Sequence, residues 1–190
     1  MSRTLKYGTS TLSVFLYLIL ISLVFSLGEP IGYVINGFGS HFAQSIVNSS
    51  DYLVVLHHPH VSQQAITQFP NTSYGILMAV GLMIAMIALI IAIWAGLQIL
   101  KSIGKKDYFS VNIVKQLRRL VIAQTLGVVA DLPLAAANTL VRYKLYRINS
   151  DLTIDWTDLI SDMMLLVIIG LIYYIYRQAI TLKQENELTI

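Results

Sequence analysis

Gln124, Asp131 and Asn138 follow one another at intervals of seven within an apolar stretch of the chain. At 100° per residue that spacing holds them within about 40° on one face of a helix. A carboxylate at the middle of an apolar span costs at least about 2.5 kcal/mol, so Asp131 must face protein, be protonated or have a partner. Two readings of it stand side by side. It is a hydrogen-bonded packing residue beside Pro133, or a group that handles a proton, an ion or a sensed ligand. A second cluster, His57, His58 and His60 around Pro59 with His41 upstream, offers imidazoles of the kind that bind zinc, copper or nickel. No carboxylate is adjacent, short His tracts are compositional hints, and a solvated turn is the plainer reading, so no metal is expected. Asp158 and Asp162 lie one helical turn apart and could hold a cation. Acids at a helix N-terminus are also what the macrodipole favours, and that reading is preferred.

No catalytic constellation accompanies these residues. The chain has no cysteine, which excludes disulfides, thiolate metal sites and a cysteine nucleophile. It has no zinc-protease motif, no nucleophile–base spacing and no phosphate-cradling glycine loop. Neither an enzyme nor a cofactor is expected.

The elements that position these residues follow from composition. Of 190 residues, 56% are hydrophobic and 12% charged, about half the charge of an ordinary soluble domain. Mean hydropathy is +0.68. The net charge of +3 is too mild to argue for direct nucleic-acid binding when the basic residues flank apolar runs. Four such runs, 11–27, 74–100, 120–141 and 159–176, are membrane-span candidates. The sequence therefore predicts an all-α membrane protein in one domain, a bundle of four transmembrane helices. Gly28-Glu29-Pro30 is expected to end the first span. The alternative of a cleavable signal peptide, with Ser26-Leu27-Gly28 as its cleavage site, is disfavoured by Glu29-Pro30 directly after that site, so an uncleaved anchor is expected. Gly81, Ala85, Ala88, Ala92 and Gly96 form a small-residue stripe suited to close helix packing.

Basic residues orient the bundle. Ten lysines and arginines lie before the first span, between spans two and three, or after span four, against three on the other side. Both termini and the 101–119 loop are then cytoplasmic, and 28–73 and 142–158 are outer loops. The 28–73 segment is apolar enough to want burial, which predicts a small extracytoplasmic cap. Phe38, Phe42 and Ile46 suggest a short helix in it. Tyr52–Leu56 and Val141–Ile148 are candidate short strands. Asn48 and Asn71 each begin a glycosylation-type triplet, a pattern that arises readily by chance.

In the cytoplasmic loop Ser110 is expected to cap a helix that carries Val111, Val114, Leu117 and Leu120 on one side and Lys115, Arg118 and Arg119 on others. With Lys105 and Lys106 these cations meet anionic lipid or dock a protein partner. Lipid alone accounts for the charge, at about 1 kcal/mol per basic residue. Glu185 and Glu187 in the tail complete the docking candidates.

Tyr108-Phe109-Ser110-Val111-Asn112, Leu117-Arg118-Arg119 and the terminal stretch from Leu182 to Ile190, together with four spans in this loop order, resemble a family of small bacterial membrane proteins known as domain of unknown function 2975. The resemblance covers nearly the whole chain. It implies a bacterial plasma membrane and, because members are often encoded beside a small helix-turn-helix regulator, a cytoplasmic partner of that kind. It implies no catalytic residues. An interaction or sensor protein for such a regulator is the expected function. A small transport or bacteriocin-immunity protein working through the Asp131 face is the alternative.

Orientation is testable directly: reporter fusions after Leu27, Ile103, Asn149 and the C-terminus should read out, in, out and in. An outward C-terminus would overturn the assignment.

Overall fold

The computed structural model describes residues 3–39, 42–55, 61–150 and 152–188. Its elements run α1 (Arg3–Ser26), α2 (Gly28–Gly37), α3 (Phe42–Asn48), β1 (Tyr52–Val54), α4 (Gln63–Thr67), α5 (Asn71–Gly104), α6 (Val111–Lys144), β2 (Arg147–Asn149) and α7 (Trp156–Leu188). Four helical stretches are long and apolar enough to cross a membrane: Tyr7–Gly37, Asn71–Gly104, Val111–Lys144 and Trp156–Asn186. The all-α class, the four membrane-competent helices and a small pair of strands agree with the sequence reading.

The first stretch differs from expectation. Gly28-Glu29-Pro30 does not end it. Helix α1 stops at Ser26, Leu27 keeps helical angles (φ −59°, ψ −20°), and α2 resumes at Gly28. The break has a direct cause. Pro30 has no N–H to give the Ser26 carbonyl four residues back, and its ring crowds that oxygen. In the first turn of α2, Pro30 needs no intrahelical donor, so the helix restarts at once. A reporter placed after Leu27 thus sits inside a helical stretch, and Ser50 is the better junction.

The chain forms two compact units. One comprises residues 1–26, 86–127 and 162–190. The other comprises 27–85 and 128–161. Helices α5 and α6 contribute residues to both. The described residues of α1 and α7 are almost all exposed or half-buried, with apolar side chains such as Phe15, Leu18, Val167 and Ile175 outward. That surface suits hydrocarbon and not water.

The core of the second unit is built around Tyr74, Met78, Leu134 and Val141, all buried, with Ala43 and Ile46 of α3 and Phe69 against them. Strands β1 and β2 pair antiparallel, Tyr52 opposite Asn149 and Val54 opposite Arg147. The ladder extends through Val55 N–H to the Tyr146 carbonyl at 3.1 Å and Ser150 N–H to the Asp51 carbonyl at 2.7 Å. The predicted second strand began too early: Val141–Lys144 completes α6, and Tyr146, at φ 51°, turns the chain into β2. Of the predicted Phe38–Phe42–Ile46 helix, Phe38 instead caps the end of α2.

Close packing here runs through glycines the stripe did not include. A Cβ on Gly75 would lie 2.5 Å from the Tyr33 carbonyl oxygen and 2.9 Å from Gly37 Cα. Helices α2 and α5 therefore meet backbone to backbone. Within the stripe, Gly81 meets Leu134 and Ala130, whereas Gly96 lies toward Leu16 of α1, so its members serve different neighbours. Gly75→Ala should lower stability by about 1–3 kcal/mol, since backbone cannot yield as a side chain can. Gly170→Ala in α7, with open space around it, should be neutral or slightly stabilising. Thermal unfolding of the two purified variants in detergent checks the contrast.

Candidate functional site

The connection between α5 and α6 is built turn by turn. Helix α5 ends in a Schellman closure: Asp107 N–H donates to the Ser102 carbonyl at 3.1 Å and Lys106 N–H to the Ile103 carbonyl at 3.0 Å. Lys106, not Gly104, takes the left-handed position, at φ 61°. A run of side chains then fastens the start of α6 to the end of α5. Asn112 donates to the buried Ser102 hydroxyl at 3.0 Å, Gln116 to Asn112 at 3.2 Å, and Arg119 to Gln116 at 2.9 Å. Phe109 stacks on Tyr176 of α7, centroids 5.9 Å apart and planes 8° from parallel. Ser110 stands at the cap position, but its buried Oγ makes no hydrogen bond; its carbonyl accepts from Ile113 N–H at 3.1 Å instead.

This construction sorts the predicted docking residues. Lys105, Lys106, Lys115 and Arg118 are exposed. Arg119 is half-buried and engaged with Gln116, so it belongs to the scaffold under the surface. In the tail α7 continues to Leu188; Glu185 is exposed and interacts within the chain, and the side chain of Glu187 lies outside the described residues. Asn112 and Gln116 were not among the sequence candidates. Their signal was present as two amides one turn apart, following the predicted cap, on a helix read for its charges.

Of the seven-spaced residues on α6, two face the chain that leads into α7 or α7 itself. Gln124 donates its amide to the Asp162 carbonyl at 3.3 Å. Asn138 donates to the Leu152 and Ile154 carbonyls at 2.6 and 2.9 Å. Asp131 is buried, 7% exposed, and interacts within the protein. Helix α6 runs on through Pro133.

Asp158 is used at the start of α7. Asp155 is the N-cap, its Oδ1 accepting from Thr157 N–H at 2.7 Å, from Asp158 N–H at 3.3 Å and from the Thr157 hydroxyl. Asp158 Oδ2 accepts in return from Asp155 N–H at 2.9 Å, closing a capping box. The Thr157 hydroxyl and amide hold the Asp155 carboxyl below its usual 3.8, with smaller help from Asp158 N–H and Arg142. A lowered carboxyl contributes stability above the unfolded value and loses it as pH falls through the folded one, so this cap is complete at neutral pH.

His57, His58, His60 and His41 lie outside the described residues. Among the described residues no group of three or more His, Asp or Glu side chains could hold a metal.

The model of a family described as protein of unknown function (DUF2975) matches residues 41–190. This chain belongs to that family. The match takes in the α5–α6 connection, the polar residues of α6 and the tail, and leaves α1 and α2 outside it. No curated protein and no solved structure matches this DUF2975 chain.

Asn138→Ala in the DUF2975 protein should cost about 1–3 kcal/mol, because two carbonyls ahead of α7 lose their donor. Gln124→Ala, which removes one longer bond, should cost less. Paired unfolding curves in detergent read the order.

Proposed function

We propose that this protein is a multi-pass sensor of a bacterial plasma membrane, with both termini in the cytoplasm, that controls a small cytoplasmic helix-turn-helix regulator. The observation that carries the reading is the α5–α6 connection. Four exposed cations stand at this connection, Lys105 and Lys106 on the turn and Lys115 and Arg118 on the first turns of α6, and it is held by a Schellman closure, a chain of side-chain hydrogen bonds and a ring stack. Contact with anionic headgroups needs the charge but not that construction, since lipid has no fixed surface to match. A folded partner does have one, and charge arranged against it sets specificity and encounter rate. The partner would bring an acidic face. Its helix-turn-helix character rests on the family resemblance. The ten-to-three distribution of basic residues supports the orientation that puts this loop in the cytoplasm.

The test replaces the cations in pairs, Lys105→Gln with Lys106→Gln and Lys115→Gln with Arg118→Gln. Each pair should reduce co-purification of a helix-turn-helix protein encoded beside the gene by about fivefold or more and change transcription of its operon. Membrane level and reporter topology should stay normal. Unchanged co-purification and transcription in both pairs, with weaker binding to anionic vesicles, would make the loop a lipid anchor and end the regulator reading.

A further inference from the structure

We infer that the second unit holds a binding site for a small organic cation, a molecule bearing an ammonium group. The site is a cavity of about 510 Å3 walled by α2, α3, the turn into β1 with Tyr52, Asn149 at the end of β2, and Leu152. Small-molecule sites fall between about 300 and 1,000 Å3.

Charge is the first argument. Residues 28–73 contain two acids, Glu29 and Asp51, and no lysine or arginine. The fold brings both acids to the wall of this one cavity, and among the described residues no lysine or arginine lines it. Two carboxylates on the wall of one cavity favour a cationic occupant over an anionic one. The Asp51 carboxylate is oriented by the Ser49 and Ser50 hydroxyls, which donate to it at 3.0 and 3.4 Å.

Aromatic faces are the second argument. Tyr33, Phe42 and Tyr52 line the same cavity. Their placement is held from behind: Tyr33 and Phe42 meet edge to face at 6.3 Å, both pack on buried Tyr74, and the Tyr52 and Tyr74 hydroxyls share a hydrogen bond of 2.9 Å. Carboxylates combined with aromatic faces are the surroundings in which an ammonium group exchanges water for ring quadrupoles and charge. A hard metal ion fits less well. It takes six or more oxygen ligands, and two carboxylates are a thin start, with no larger cluster among the described residues.

In the reading above, this molecule is the signal. The inference is nevertheless tested by binding alone, and it stands or falls whether or not a regulator docks. Full-length protein is purified in a maltoside, whose head group carries no cation, and titrated calorimetrically with benzyltrimethylammonium chloride. Benzyl alcohol serves as the neutral probe. The cation should bind saturably, benzyl alcohol should bind at least about tenfold more weakly, and Glu29→Gln should cost the cation about tenfold. Glu29 is exposed, so this variant should unfold at the wild-type temperature. Deleting Glu185 to Ile190 should leave the affinity unchanged. No saturable binding up to about 10 mM, equal affinity for the two probes, or an unchanged Glu29→Gln would overturn the site.

Discussion

Hydrocarbon offers a backbone amide or carbonyl no hydrogen bond, so each one in a membrane-competent helix must find its partner within the chain. Most of the architecture follows from that constraint. Long uninterrupted helices satisfy the backbone. Two polar side chains inside them tie one segment to another, Gln124 to the Asp162 carbonyl and Asn138 to the two carbonyls that precede α7, while hydroxyls such as Thr125 and Thr139 bond back to their own helix. A side-chain amide used in this way serves as a fastening. It holds a helix to its neighbour where apolar packing against lipid-like surroundings gives little preference for one arrangement over another.

The same constraint explains why glycine matters at α2 and α5. With no hydrophobic drive between helices in lipid, close approach and dense contact must supply the attraction. Gly37 and Gly75 let the two backbones come within the reach of a single methyl group. The aromatic residues around Tyr74 then fill the space beside that crossing, and the short β1–β2 pair joins the segment before α5 to the segment after α6. A region with only two acids and no lysine or arginine among residues 28–73 is thus folded into a shaped wall.

Charge is handled differently at the α5–α6 connection. There the backbone is closed by its own amides, and Arg119 is drawn into the supporting chain of hydrogen bonds. Lys105 and Lys106 are exposed on the turn, and Lys115 and Arg118 are exposed on the start of α6. Lys106 pays the left-handed conformation that a glycine would adopt freely, while Gly104 stays helical. Position, and not composition, decides which of two neighbouring residues makes the turn.

The sequence by itself determined the helical class, the number of membrane-competent helices and the existence of a partly stranded cap. Hydropathy and residue period report burial against an apolar solvent, and that burial depends on local sequence alone. It also located the seven-spaced polar face and the basic loop. Only the tertiary structure decided what those residues touch. The restart at Gly28 depended on where the donor missing from Pro30 fell relative to Ser26. The division of the basic residues into exposed and engaged depended on Gln116 and Asn112 reaching across a turn. The pairing of Tyr52–Val54 with Arg147–Asn149 joined segments almost a hundred residues apart. Such contacts leave no mark on local periodicity, because nothing in either segment records the partner that the chain will bring to it.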